Sequence, residues 1–362
     1  MTQTVAVAIN QLDGAIPLSK AASWDAVGLQ VGDHAAEAKR IGVCHEASRE
    51  VVTAAVEARC DLLVAYHPLL FSPLRSVVAG TSTAGRAYDL IRCGVALYVV
   101  HTAFDVAAEG CADALADILS LSDVTGFGPN WPADSAKIVT FLPAESLAEV
   151  AAAMAAAGAG EVGGYSECSF TVSGHGSYRP GEGTDPHIGT VGQLAREAET
   201  RVEMNAPSTR VDAVVEALVA AHPYDEPAFD VYTAQANSGF VGRIGTYPGS
   251  LSQLQSQAAA ALETVVRRAG DRPGDELRVA VVPGSGSSLL SAAAAAGADV
   301  LVTGDVSHHR ANEAVERGLA VLDAGHAPTE RPGIARLYSL VSKMFDETVD
   351  LTHLDPTPWE AE

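Results

Sequence analysis

The sequence predicts an α/β protein with a mainly parallel sheet, interrupted by a smaller α+β domain. Apolar strand-like runs alternate with helix-like runs at both ends of the chain. Those strands are apolar throughout, which is typical of a parallel sheet covered on both faces. In the middle of the chain, the order strand, proline, polar cap, helix occurs twice. We therefore expect one discontinuous domain, residues 1–130 and 238–362, and an inserted domain at 136–236.

In the first part of the chain, strands and helices are predicted to alternate. Gly28 and Gly32 flank an alternating apolar run, which indicates a short strand between tight turns. Ser48 is a candidate N-cap, because its hydroxyl can accept from the first turn of a helix. The other predicted strands are 40–44, 61–66 and 95–100, and the predicted helices are 48–60, 83–93 and 110–120.

The middle of the chain has a different pattern. A glycine- and proline-rich stretch at 124–132 is interpreted as a link between domains. The two strand–helix units after it are typical of a ferredoxin-like βαβ–βαβ domain. Between them, 174–187 is rich in glycine and is expected to form a long exposed loop or hairpin. The predicted strands are 137–143, 168–173, 201–206 and 228–233, with helices at 145–157 and 209–221.

The α/β pattern resumes at Gly239. A turn of glycines and serines, 284–288, stands between a strand and a helix, where backbone N–H groups could bind an anion or form a plain tight turn. It is not a phosphate-binding P-loop, because no lysine follows it. The predicted strands are 278–282, 299–303 and 319–322, with helices at 251–268, through 296, after 304–309 and at 334–344.

Composition excludes several classes of function. The formal net charge of −22 opposes non-specific nucleic-acid binding. The five cysteines form no Cys-x-x-Cys pair, so a reducing compartment is expected. No apolar run approaches eighteen residues, and the first residues lack a basic region followed by an apolar core. We expect a cytoplasmic protein without a membrane segment.

Histidines and carboxylates stand just beyond the predicted strands. In an open α/β sheet, ligands bind beyond the carboxyl ends of the strands. Five of the eleven histidines lie at such ends, which favours a metal site over chance. The residues at these ends are His67, His101, Asp105, Asp305, His308, His309, Asp323, His326 and Glu330.

Imidazole and carboxylate donors without a thiolate suit Zn, Mn, Fe or Ni. Such an ion makes water nucleophilic near neutral pH, which predicts hydrolytic chemistry. Alternatives stay open for some residues: His308 and His309 are either near neighbours of the site or solvated, and Asp305 is either a helix cap or a functional acid. The histidines interpreted as non-ligands are His175, His187, His222 and His353.

The motifs, taken in order, resemble those of the NIF-three-like dinuclear metal-centre proteins, which are often labelled GTP cyclohydrolase I type 2 homologues. The insert is similar to the inserted domain of longer bacterial members, which looks like the PII and CutA folds. The motifs that carry the resemblance are Trp24-Asp25 through Gly32, Tyr66-His67-Pro68-Leu69, His101-Thr102 with Asp105, Thr303 through His309, Asp323 through Glu330, and, in the insert, Ala157 through Gly160, Gly164-Tyr165-Ser166 with Cys168-Ser169-Phe170, and His222 through Ala228.

The resemblance implies a two-lobed fold, up to two divalent ions, and homo-oligomers that are commonly toroidal hexamers. It implies metal ligation by His67, Asp105, His326 and Glu330, with His101 as a ligand or close neighbour. Tyr66 departs from the family, which usually has a second ligand histidine there, and a phenol is the poorer ligand. We hypothesise that His45, which also follows a strand, supplies the missing nitrogen.

Two functions from different classes follow. The first is a metal-dependent hydrolase, a GTP cyclohydrolase I type 2 homologue, acting on a nucleotide or phosphorylated small molecule through water activated by the metal. Glu330 and Asp105 would then hold the ions and His101 or His308 would move protons. The second is a non-enzymatic metal-binding regulator or scaffold, whose insert binds an effector or partner.

Overall fold

The computed structural model describes residues 3–130, 135–162, 165–184, 186–234 and 239–354. Within this range the chain divides into two compact units, Met1–Pro132 with Asn237–Glu362, and Ala133–Ala236. The predicted boundary residue 238 and Gly164, the first residue of an insert motif, lie outside the described residues. Among the helices of the described residues, none is long and apolar enough to span a membrane.

The strands of the described residues are, in chain order, β1 (Gly28–Val31), β2 (Arg40–Cys44), β3 (Leu62–Ala65), β4 (Ala96–Val99), β5 (Ser122–Asn130), β6 (Ser135–Leu142), β7 (Phe170–Tyr178), β8 (Ala195–Pro207), β9 (Phe229–Ala234), β10 (Gly239–Tyr247), β11 (Arg267–Ala269), β12 (Leu277–Val281), β13 (Val300–Thr303), β14 (Ala320–Asp323) and β15 (Glu347–Asp350).

The α-helices are α1 (Val5–Ala15), α2 (Arg49–Glu57), α3 (Thr83–Cys93), α4 (His101–Asp105), α5 (Cys111–Ile118), α6 (Leu147–Ala156), α7 (Val211–Ala221), α8 (Leu251–Ala261), α9 (Leu290–Ala295), α10 (His308–Glu316) and α11 (His326–Met344). Ser48 caps α2 as predicted, since its side chain accepts from the backbone N–H of Val51.

The first sheet has the order β1-β4-β3-β2-β15. Its strands run parallel except β1, which pairs antiparallel with β4. The two central strands β3 and β4 are buried at every position, as the all-apolar pattern predicts. Cys44 pairs with Ala65 and Ala65 with Val99, so the carboxyl ends of β2, β3 and β4 are level. The residues that follow these strands therefore meet at one edge.

The second sheet has the order β11-β14-β13-β12-β10-β5. The central strands β12, β13 and β14 are parallel, and the outer pairings are antiparallel. Thr303 pairs with Asp323, which aligns the carboxyl ends of β13 and β14. The α/β fold class is confirmed, with two mixed sheets as its two lobes.

Two local predictions were wrong. The stretch 124–132 was interpreted as a link, but most of it belongs to β5. An edge strand such as β5 tolerates proline and glycine residues. The Phe240 ring packs against Gly126, where a side chain would leave no room for it. The helix predicted at 251–268 ends at Ala261, because Glu263 has φ +50° and Arg267–Ala269 joins the edge of the second sheet. Of the loop or hairpin expected at 174–187, the structure has the hairpin, since β7 extends to Tyr178 and pairs antiparallel with β8.

The insert is a four-stranded antiparallel sheet with the order β7-β8-β6-β9. Its chain order is strand, helix, two strands, helix, strand, and α6 and α7 share an apolar core with the sheet. That order and that sheet arrangement define a ferredoxin-like domain, as predicted.

Candidate metal centre

Two imidazoles reach the same point from neighbouring strands. The backbone N–H of His67 donates to the carbonyl of His45 at 2.8 Å, which continues the pairing of β2 and β3 beyond their ends. The two rings are stacked, with centroids 5.0 Å apart and an interplanar angle of 22°. The level ends of the two strands therefore place these side chains next to each other.

Glu330 brings a carboxylate to the two imidazoles from the beginning of α11. Its Oε2 lies 2.7 Å from Nε2 of His45 and 3.1 Å from Nε2 of His67. His326, four residues earlier on the same helix face, places Nε2 3.2 Å from Oε1. Glu330 is only 2% exposed, and burial alone would raise its pKa. Hydrogen bonds from the three imidazoles outweigh burial and hold the pKa well below its usual value.

The donors of His45, His67 and Glu330 lie within 4.8 Å of one another and could bind a metal ion. Two imidazoles and one carboxylate form a donor set that catalytic zinc sites use, with a further position left open. The residues present therefore fit a divalent transition metal.

Tyr66 points to Asp105 rather than to Glu330. Its hydroxyl donates to Oδ1 of Asp105 at 2.6 Å, and both side chains are buried. Burial is the main cause that raises the pKa of Asp105 to about 6 and the pKa of Tyr66 well above its usual value. The phenol is therefore neutral and engaged with Asp105, one of the predicted ligands.

His101 is held by Asp25, a residue to which sequence reasoning gave no role. Oδ1 of Asp25 accepts from Nδ1 of His101 at 2.7 Å, and Oδ2 accepts from the backbone N–H of Thr102 at 3.0 Å. Burial opposes these contacts, yet the pKa of Asp25 is lowered and the pKa of His101 is raised. The His101 ring lies 5.1 Å from the His67 ring, so His101 borders the cluster around Glu330.

The position of Asp25 has a topological cause. Because β1 is antiparallel to β4, with Gly28 paired to Val99, the residues before β1 lie at the carboxyl end of β4. Asp25 therefore reaches the same edge as the residues that follow the parallel strands. A search restricted to strand carboxyl ends misses it, and the Trp24-Asp25 motif was the available signal.

Asp305 lies against His326. Its Oδ2 is 2.7 Å from Nδ1 of His326, and Ser307 rather than Asp305 caps α10. The hydrogen bonds to Glu330 are the main cause that raises the pKa of His326 to about 9, with Asp305 adding to the effect. Of the two roles left open for Asp305, the structure favours the one at the site.

The glycine- and serine-rich turn supports the site through its backbone. The N–H of Gly284 donates to the hydroxyl of Thr329 at 2.9 Å, and the N–H of Gly286 donates to that of Thr303 at 2.8 Å. Since both N–H groups have side-chain acceptors, the plain-turn interpretation is favoured over anion binding. A Cβ at Gly284 would collide with Oε1 of Glu330.

Other predicted residues lie elsewhere. Asp323 is structural: it accepts from the backbone N–H groups of Val306 and Gly325, at 3.2 and 3.1 Å, and pairs with Arg267. His308 and His309 are exposed at the start of α10, where His308 lies 3.2 Å from Asn312 Nδ2. The four histidines interpreted as non-ligands, His175, His187, His222 and His353, are outside the cluster.

The fold and the site define a class of protein: a two-lobed α/β protein with a His–His–Glu group that could bind a metal ion, interrupted by a ferredoxin-like insert. The model of the family described as Duf34/NIF3 (NGG1p interacting factor 3) matches residues 3–358. The chain belongs to this family, which confirms the resemblance found in its motifs.

Relatives cover nearly the whole chain. A protein of Mycobacterium leprae (strain TN) named GTP cyclohydrolase 1 type 2 homolog is 37% identical over 370 residues, 99% of this chain and 96% of its own. A Bacillus subtilis (strain 168) protein of the same name is 34% identical, covering 95% of this chain and 94% of its own. A crystal structure of a Bacillus cereus protein related to NIF3 covers 100% of both chains with a TM-score of 0.65 and 30% identity.

Proposed function

We propose that this protein is a metal-dependent hydrolase that acts on a nucleotide or another phosphorylated small molecule. The observation that carries the proposal is the buried carboxylate of Glu330 with three imidazoles directed at it. The name GTP cyclohydrolase 1 type 2 homolog, borne by relatives that cover almost the whole chain, supports the reaction class.

The group around Glu330 would hold one or two divalent ions, of which Zn, Fe, Mn and Ni suit its donors. When bound, such an ion acts as a Lewis acid and makes water nucleophilic near neutral pH. It also supplies the local positive charge that a phosphorylated substrate needs on a chain of formal net charge −22.

The chain's own residues have separate tasks in this proposal. Glu330 fixes the ion, and His326 fixes Glu330 through its second carboxylate oxygen. Asp25 accepts from Nδ1 of His101, which orients the ring so that its Nε2 can take a proton from a reacting group and return it to a leaving group. If the substrate is GTP, hydrolysis opens the imidazole ring of guanine and releases formate.

The test is turnover of protein loaded separately with Zn, Mn, Fe or Ni and offered GTP, other nucleotides and simple phosphate esters. Formate release detects ring opening, and phosphate release detects ester hydrolysis. We expect turnover with at least one ion, its loss in Glu330→Gln and its retention in His308→Ala. Turnover that survives in Glu330→Gln, or no turnover with any ion and substrate, would contradict the proposal.

A cleft in the insert favours a second candidate function, that of a regulator that binds an effector. The cleft measures about 720 Å³ and is lined by Tyr178, His187 and Tyr224, among others. The ring centroids of Tyr178 and Tyr224 lie 6.4 Å apart, and those of His187 and Tyr224 lie 5.9 Å apart. Nucleotide binding that Tyr224→Ala removes, in a protein without turnover, would favour the regulator.

We also propose that the protein is a homo-oligomer, a toroidal hexamer by its resemblance to the family. Exposed apolar side chains support self-association: Trp24, Phe71 and Ile91 are 63%, 58% and 60% exposed. Light scattering coupled to size-exclusion chromatography tests this directly, and a monomer at micromolar concentration would exclude it.

A further inference from the structure

His45 and His67 follow two neighbouring strands, β2 and β3, whereas the family motif places both ligand histidines after the same strand. In that motif two adjacent histidines follow a strand, and this chain has Tyr66 at the first of the two positions. His45 stands on the neighbouring strand end, hydrogen-bonded through its carbonyl to the backbone N–H of His67. A second imidazole is therefore present beside His67, although the sequence lacks it at position 66.

The direction of the His45 side chain supports a ligand role. His45 is 4% exposed, and a buried imidazole needs polar partners. Its Nε2 is 2.7 Å from Oε2 of Glu330, the oxygen that also lies 3.1 Å from Nε2 of His67. Two imidazole nitrogens thus converge on the same carboxylate oxygen, as donors to a common ion do.

Tyr66 has the opposite orientation. Its hydroxyl donates to Asp105 at 2.6 Å, with neither group open to solvent. A second ion bound through Oδ1 of Asp105 would have to break this hydrogen bond, and it would find a phenol at position 66 where imidazole is the better donor. The hydrogen bond therefore occupies Oδ1 of Asp105, and position 66 supplies no nitrogen ligand beside it.

We propose that this chain binds one divalent ion, with His45, His67 and Glu330 as its ligands, and that the Tyr66–Asp105 hydrogen bond closes the second metal position. The proposal rests on the metal-dependent function proposed above and specifies its site. His45 replaces the imidazole that Tyr66 cannot supply. His326 holds the other oxygen of Glu330 and so orients the carboxylate toward the ion.

The test measures ion content by elemental analysis and the absorption spectrum of the Co²⁺-loaded protein. The unaltered protein should hold one ion per chain, and His45→Ala should lower ion affinity by more than about tenfold, the scale on which even outer-shell changes act. Tyr66→Phe should keep one ion, whereas Tyr66→His should admit a second. His308→Ala is the control, since His308 is exposed on α10.

His45→Gln is a second variant in case His45→Ala misfolds, because the glutamine amide keeps a hydrogen-bond donor near Glu330. The His45→Gln protein should stay folded, as measured by circular dichroism, and should still lose affinity for the metal ion. Two ions in the unaltered protein, or normal affinity in a folded His45 variant, would overturn the inference. Loss of the ion in His45→Ala, together with no hydrolysis of any substrate by the unaltered metal-loaded protein, would uphold this site and reject the hydrolase. Hydrolysis by a His45→Ala protein that keeps its full ion content would uphold the hydrolase and reject His45 as a ligand.

Discussion

Asp305 holds His326 through a 2.7 Å contact between Oδ2 and Nδ1, and this contact fixes which nitrogen of His326 faces Glu330. Asp305 has φ +54°, a left-handed conformation that Asp and Asn tolerate better than most residues. The Asp305–His326–Glu330 chain thus extends the carboxylate–imidazole network away from the proposed ligands. Partners of this kind fix ligand orientation, and changing them typically weakens metal affinity.

Asp305→Ala is expected to weaken metal affinity by about 10- to 100-fold without loss of fold. Asp305→Asn should weaken it less, because its amide oxygen still accepts from Nδ1 and asparagine tolerates the backbone conformation. Competition with a chromophoric chelator measures the affinity. Asp123→Ala is the matched control, since Asp123 also has positive φ, +50°, and is exposed on β5. Equal affinities for Asp305→Ala and Asp123→Ala would exclude a positioning role.

Gly284→Ala is expected to displace the Glu330 carboxylate, because the added Cβ would collide with Oε1 and lie 3.2 Å from Nε2 of His326. We expect a loss of metal affinity and a decrease of about 1 kcal/mol in the free energy of unfolding from the positive φ of +63°. Gly297→Ala is the control for backbone strain: its φ is +78°, and nothing lies within 4 Å of the added Cβ. If both variants lose affinity equally, contact with Glu330 is not the cause.

Glu330→Gln is expected to destabilise the metal-free protein as well as to prevent metal binding. The change leaves the buried imidazole of His45 and the half-buried imidazole of His67 without a carboxylate acceptor, which costs about 1–3 kcal/mol of unfolding free energy. Urea denaturation in the presence of a chelator measures this cost, with the exposed Glu316→Gln as control. A Glu330→Gln protein as stable as the control would mean that the imidazoles find other partners.

The strand-end rule predicted part of this site from the sequence. It selected His67, His326 and Glu330, and the structure brings them together from two sheets. His67 follows β3 of the first sheet, whereas His326 and Glu330 lie at the start of α11, after β14 of the second sheet. The hypothesis for His45 came from the same rule. Asp25 could not be found in that way, because its place depends on the antiparallel direction of β1, which no local pattern encodes.

Two of the missed strands, β11 and β15, share a physical reason. β11 and β15 are short edge strands with charged residues, Arg267–Ala269 and Glu347–Asp350, and neither has the apolar pattern that identified the central strands. Edge strands face solvent on one side, so their sequence is less constrained by burial. Pairing to a distant neighbour, rather than local propensity, determines that they are strands.

The stability of the insert is expected to decrease in acid because of His222. Its Nε2 donates to the carbonyl of Phe141 at 3.1 Å, and its Nδ1 accepts from the backbone N–H of Tyr224 at 3.1 Å. Only neutral imidazole can do both. Burial lowers the pKa of His222 below its usual 6.5, so the unfolded state binds more protons between the two pKa values. The contribution of His222 is therefore complete above about pH 6.5 and decreases as the pH falls toward the folded pKa.

The measurement compares the unfolding free energy of the unaltered protein and His222→Gln between pH 5 and 8, about the usual pKa of 6.5. The difference between them should shrink as the pH falls, by at most about 1.4 kcal/mol per pH unit, the slope for one proton. Other histidines titrate in both proteins and cancel in this difference. His175→Gln, at an exposed position of the same sheet, should show no such trend. A difference that is constant with pH, or that grows in acid, would mean that His222 is not held neutral in the folded protein.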